Sequence, residues 1–124
     1  MDGQLSQPAY VDTCVFCKVV KGLVRADIIY QDGQVVAFKD IHAQAPVHVL
    51  VIPRHHVTAL WEADETHTEL LGRILLACNE VAQIEGVAES GYRVIANVGP
   101  DAGQSVDHLH FHVLGGRKLD WPPG

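Results

Sequence analysis

The chain has 124 residues, 48% of them hydrophobic, and a formal net charge of −6 from nine basic and fifteen acidic side chains. That length carries one domain with a sizeable core. The acidic balance argues against a nucleic-acid groove, which needs a basic stripe, and no apolar run approaches the roughly 20 residues of a membrane span. Residues 1–11 are polar, with glycine and proline and no apolar targeting segment, and read as a flexible arm before a single domain over 12–124. Without an export signal, three cysteines imply a reducing compartment, the cytoplasm, and thiols or metal ligands in place of disulfides.

In chain order, residues 14–22 space Val15, Phe16, Val19 and Val20 as in a short helix that ends at Gly22. Cys14 and Cys17 within it form a Cys-x-x-Cys pair, which gives zinc two of its four ligands at turn spacing. The pair alone leaves zinc, inert thiols and redox chemistry open, though no βαβ context supports a thioredoxin-like role. Residues 28–30 and 35–38 are two strands around the turn signal Asp32-Gly33. Residues 48–52 are apolar on both faces, as in a central strand, and Pro53 stops it. Thr66-His67-Thr68-Glu69 fits a capping box. It opens a long helix with Leu70, Leu71, Ile74, Leu75, Cys78, Val81 and Ala82 on one stripe, closed near Gly86. Cys78 in that stripe is core filler. Residues 92–97 and 109–114 complete five strands. With one short and one long helix, these make an α+β fold with a mostly antiparallel sheet.

The last strand carries His108-Leu109-His110-Phe111-His112. Alternate residues share a strand face, so the three imidazoles point one way, about 7 Å apart, while Leu109, Phe111 and Val113 face a core. A row of groups that titrate near neutrality serves as nucleophile, acid, base or ligand set. Its rival is a solvated strand face. The connection before it, residues 97–105, holds Gly99, Gly103 and Ser105. Small residues let backbone N–H groups approach an anion. Alone the loop would be a turn. Feeding into three histidines, it reads as half of a phosphate site.

His-Leu-His-Phe-His-Val-Leu resembles the signature of the histidine triad family. Asp40-Ile41, Gln44-Ala45-Pro46-Val47-His48, Leu50-Val51-Ile52-Pro53, Gly103-Gln104-Ser105 and the Trp121-Pro122-Pro123-Gly124 tail resemble its histidine triad nucleotide-binding (HINT) branch. The likeness spans roughly residues 12–124. It implies a homodimer joining two sheets into ten strands, purine nucleotide (AMP or GMP type) binding, and hydrolysis of nucleoside 5′-phosphoramidates with no cofactor required for catalysis.

By position, the resemblance makes His110 the nucleophile and His112 a donor to a phosphate oxygen. Neutral imidazole attacks phosphorus well, and a nucleotidyl-imidazole is reactive enough for water to open. The second nitrogen of His110 is then expected to donate to an acceptor, such as a backbone carbonyl. Ser105 would meet the leaving amine, Gly103 and Gln104 the phosphate, Asn97 the phosphate or ribose side, and Asp40 the ribose hydroxyls. For Asp40 the rival is simple strand-end solvation. Phe16, Val15, Val19 and Ile41 would form the base slot, with ordinary core packing the rival for Val15 and Val19. His48 resembles a histidine beside the phosphate. Cys14, Cys17, His56 and His108 match the ligands of zinc-carrying relatives, whereas other members lack the cysteines and bind no metal. Zinc here would be structural, with all four positions filled by protein. Trp121 would line a partner's site on the leaving-group side, or else clasp the dimer. An open-zinc metalloenzyme and a non-catalytic purine nucleotide sensor are the rival functions.

Overall fold

The computed structural model describes residues 8–124. Five strands, β1 (Ile28–Gln31), β2 (Val35–Lys39), β3 (Val47–Pro53), β4 (Tyr92–Ile95) and β5 (Phe111–Gly115), form one sheet in the order β1-β2-β3-β5-β4. Every pairing is antiparallel. The helices are α1 (Val15–Val20) and α2 (Thr68–Ile84). The expected α+β architecture is therefore the one observed.

Alternation on the central strands explains the two layers. Val35 and Ala37 of β2, Val49 and Val51 of β3, and Phe111 and Val113 of β5 pack beneath α2. The intervening Val36, Phe38, Leu50 and Ile52 face the other way, against Cys14, Phe16, Cys17 and Val19. Both faces of β3 are thus covered, as its unbroken apolar run predicts. The β1–β2 turn is held by Asp32, whose Oδ1 accepts from the Gln34 and Val35 amides at 2.8 and 3.0 Å.

Two expectations need correction. The capping box before α2 is formed by Asp64 and His67, around a 3-10 turn over Glu65–His67, and not by Thr66 and Glu69. Asp64 supplies a carboxylate acceptor to the Thr66 amide, and its own amide donates to the His67 ring. Leu75 lies outside the core stripe: it is 49% exposed, and Ala77 is buried in its place. Residues 1–7 of the expected arm lie outside the described residues; in 8–11 the Ala9 carbonyl accepts from the His56 amide at 3.1 Å, and Tyr10 and Val11 pack on the α1-side core.

The triad also differs in detail. β5 begins at Phe111, so His108 and His110 precede its ladder. The one-sided alternation persists nonetheless. Leu109 is buried with the α2-side core, while the His108 and His110 rings meet Phe16 edge-on, at 5.9 and 5.2 Å between centroids.

Candidate active site and metal centre

On the α1 side, a cleft of about 540 Å³ is lined by His48, Ser105, His110, His112, Asp40 and Ile41. Its apolar wall comes from Val15, Phe16, Val19, Val24, Phe38 and Leu50, among others. Strand geometry places the histidines: Leu50 of β3 pairs with His112 of β5, and His48 lies two residues along on the same face.

The hydrogen bonds assign the tautomers. His110 Nδ1 donates to the His108 carbonyl at 2.7 Å. In the neutral ring this tautomer leaves a lone pair on Nε2, as nucleophilic attack requires. The Gln44 amide donates to His48 Nδ1 at 3.0 Å. Neutral His48 must then carry its proton on Nε2, which stands 2.9 Å from His112 Nδ1. His112 in turn carries its proton on Nε2, and that N–H is buried with no acceptor among the described residues. Burial, reinforced by His110 and His48, holds the His112 pKa down to about 4. Burial also lowers His48, with Asp40 pulling the other way. Both rings are neutral at pH 7, so His112 presents an unspent N–H donor to the site.

A second cluster lies behind the triad. Cys14, Cys17, His56 and His108 offer four ligand atoms, all within 4.8 Å of one another. Cys14 Sγ is 3.3 Å from His108 Nδ1, and Cys17 Sγ is 3.3 Å from His56 Nδ1 and 3.6 Å from His108 Nδ1. Tetrahedral zinc with ordinary bond lengths separates sulfur from nitrogen by about 3.6 Å. His108 Nε2 donates to the Pro53 carbonyl at 2.9 Å, which frees Nδ1 as a ligand. Both sulfurs accept backbone amides, Cys17 N to Cys14 Sγ and Val11 N to Cys17 Sγ. Burial raises the Cys17 pKa, so a thiolate there calls for a cation. Geometry, tautomer and second donors all fit zinc.

Asp40, His48 and His112 also bring ligand atoms within 4.8 Å of one another. The same test goes against a metal there. The Gln44 amide occupies the lone pair of His48 Nδ1, so the Nε2 that faces the cluster is a donor and not a ligand.

Other expected residues fall differently. Asn97, Gly103 and Gln104 are not on the cleft wall. The Gln104 side chain is spent on bracing the loop: its Oε1 accepts from the Gly99 amide, and its Nε2 donates to the carbonyls of Thr58 and Val106. Trp121 is 80% exposed and also absent from the wall. Sequence reasoning missed Val24, Phe38, Leu50 and Val106. Leu50 was readable, since it shares a strand face with His48; the others reach the cleft only through tertiary packing.

With this geometry in place, the comparisons are decisive. The HIT domain family model matches residues 21–119. The chain belongs to the HIT family, in its HINT-like branch. It is similar to a 14 kDa zinc-binding protein of Zea mays, 46% identical over 112 residues that cover 89% of this chain and 87% of that protein. It is 44% identical to adenylylsulfatase HINT1 of Arabidopsis thaliana, over 89% of this chain and 76% of that one. Among solved structures it superposes on a HIT family hydrolase from Legionella pneumophila with a TM-score of 0.88, at 43% identity over 90% of this chain and all of that one.

Proposed function

We propose that this HIT protein is a nucleoside 5′-phosphoramidate hydrolase acting through a nucleotidyl-histidine at His110. The observation that carries the reading is the 2.7 Å bond from His110 Nδ1 to the His108 carbonyl, which reserves Nε2 for attack. Nε2 would displace the amine from phosphorus. Water would then open the phosphorus–imidazole bond, releasing the nucleoside monophosphate and restoring His110. The unspent Nε2–H of His112 would meet a phosphate oxygen, where charge builds in the transition state. Ser105 would meet the leaving group at the cleft mouth. Asp40 would take the ribose hydroxyls, and Phe16, Val15, Val19 and Ile41 would hold a purine. Gln104, with Gly103, would serve the phosphate side by fixing the loop that carries Ser105. Asn97 would act from outside the cleft wall, on the phosphate or ribose side.

The names of two relatives support a hydrolase of this kind. The Legionella protein is called a HIT family hydrolase, and the Arabidopsis one an adenylylsulfatase. One nucleotidyl-histidine serves an amine or a sulfate leaving group, because both are displaced before water enters.

Zinc would be held by Cys14, Cys17, His56 and His108, and the Zea mays relative is named for zinc binding. With four protein ligands it supplies structure, tying α1 and the segment after β3 to the backbone of the triad. Assembly would be a homodimer that pairs β4, an edge strand, with its counterpart to make ten strands.

The test is turnover of an adenosine 5′-phosphoramidate by the wild type and by His110→Ala. Turnover that vanishes in the variant, with nucleotide affinity kept within about tenfold, supports the reading, since the lost group acts in the transition state. Rapid quench of the wild type should trap label on His110. Tight nucleotide binding with no turnover by the wild type would make the protein a sensor instead.

A further inference from the structure

His48 Nε2 carries one hydrogen, which it gives to His112, and it has a carboxylate oxygen beside it. His112 Nδ1 is 2.9 Å away, and Asp40 Oδ2 is 3.3 Å away. The other carboxylate oxygen of Asp40 already accepts the His42 amide at 2.8 Å. Oδ2 is therefore the oxygen left for a ligand, and its charge lies beside the N–H that His48 gives to His112. The Gln44 amide on Nδ1 fixes the tautomer of His48, so the hydrogen stays on Nε2. All of this lies in a buried ring, 7% exposed, whose side chain cannot turn to water for a substitute.

We propose that His48 is a positioning residue that makes the phosphate side of the cleft sensitive to the ribose hydroxyls. The inference rests on the assignment of Asp40 to ribose and of His112 to phosphate made above. When hydroxyls donate to Asp40 Oδ2, the carboxylate's electrostatic hold on the neighbouring N–H weakens, and the hydrogen bond to His112 Nδ1 strengthens. A ring that accepts more strongly at Nδ1 donates more strongly at Nε2, because chained hydrogen bonds polarise one another. Binding energy from a remote part of the substrate is thereby realised in the chemical step. A ribonucleotide should gain in kcat over a nucleotide without the hydroxyls, and not only in KM.

The experiment compares an adenosine 5′-phosphoramidate with its 2′,3′-dideoxy counterpart in the wild type, His48→Gln and His48→Asn. The amide nitrogen of glutamine stands near the position of imidazole Nε2 and keeps a donor for His112; asparagine is too short. The expected ratio of kcat, ribose over dideoxyribose, is about fivefold in the wild type, within twofold of that in His48→Gln, and near one in His48→Asn. Hydroxyl removal that raises KM alone, or a ratio that survives in His48→Asn, overturns the proposal. A second readout is independent of turnover. Adenosine has no phosphate to touch His112, so in ring-nitrogen NMR it should shift His112 Nδ1, whereas 2′,3′-dideoxyadenosine should not. No shift with saturating adenosine also overturns it. If the wild type hydrolyses nothing yet adenosine moves His112, the hydrolase reading fails and the coupling stands.

Discussion

His110 gives its Nδ1 proton to the carbonyl of His108, at 2.7 Å, and the ring of that same His108 closes the cysteine–histidine cluster. The acceptor that sets the tautomer of the proposed nucleophile is thus part of the segment that zinc would hold. Removing the metal should loosen that carbonyl. Chelation, or Cys17→Ser, is expected to lower Tm and kcat together, with a smaller change in KM, and zinc should restore both after chelation. Metal analysis should find about one zinc per chain, since the four ligands make one closed site. If chelation abolishes turnover and leaves Tm unchanged, the metal is catalytic and the structural reading fails.

Gly99 gives a second test, on the loop that carries Ser105. Its φ of +81° belongs to glycine, and a Cβ there would lie 2.6 Å from Trp61 Cη2. Gly99→Ala should therefore cost about 1–3 kcal/mol from backbone strain, with the clash added. The double variant Gly99→Ala/Trp61→Ala removes the clash alone. It should be less stable than Trp61→Ala by the strain that remains, as measured by urea denaturation. Equal stability of those two proteins would mean that the backbone there is unstrained.

Much of this site is legible in the chain because period-two patterning survives folding. Three histidines alternating with Leu109, Phe111 and Val113 show which residues share a face even where the ladder has not begun. The Cys-x-x-Cys pair is visible for the same local reason. What escapes is anything decided by register or by tertiary neighbours. Leu75 is apolar and correctly spaced, yet pattern alone does not distinguish a core stripe from a face left for a partner. The capping residue shifts from Thr66 to Asp64 because a 3-10 turn precedes the helix. Gln104 reads as a phosphate ligand until its amide is found spent on Thr58 and Val106. The tautomers of His48 and His112 depend on the Gln44 amide, which no side-chain pattern records.

The buried neutral histidines set the acid side of the stability profile. In the unfolded chain these rings take up protons near pH 6.5, whereas folded His112 resists, through burial first, until about 4. His48 is lowered in the same direction. The unfolded state therefore binds more protons in that window, and stability present above pH 6.5 is lost as the pH falls toward 4. Thermal melts across this range should show Tm falling steadily, and His112→Asn should flatten the slope. A Tm that is level down to pH 4.5, or a slope unchanged in the variant, would contradict the burial of a neutral ring.

Leu75 and Leu76 on α2 are 49% and 54% exposed, and Val94 on the edge strand β4 is 38% exposed. Neither leucine belongs to the described core, so both are available to a second copy. Sedimentation at micromolar concentration should show a dimer. Leu75→Glu/Leu76→Glu should shift it to monomer, because desolvating two carboxylates at an apolar contact is costly. A wild-type monomer would remove the ten-stranded assembly from the proposal.

The tail carries a large aromatic, Trp121, that this chain does not bury. Arg93 of β4 holds the Asp120 carbonyl at 2.9 Å, and Arg117 holds the Gln44 carbonyl at 3.0 Å, beside the loop that orients His48. The tail is therefore anchored by Arg93 at the β4 edge that would meet a partner, and by Arg117 at the end of the sheet, while Trp121 is 80% exposed. An aromatic of that size on an anchored segment fits a surface supplied by another molecule. Our expectation is that it packs on the leaving group in the partner's cleft. Deleting residues 119–124 should leave the dimer intact and change the preference between tryptamine and lysine leaving groups by roughly two- to tenfold, the worth of one aromatic contact. Dissociation to monomers on truncation would make the tail a clasp. An unchanged ranking in an intact dimer would remove Trp121 from the site altogether.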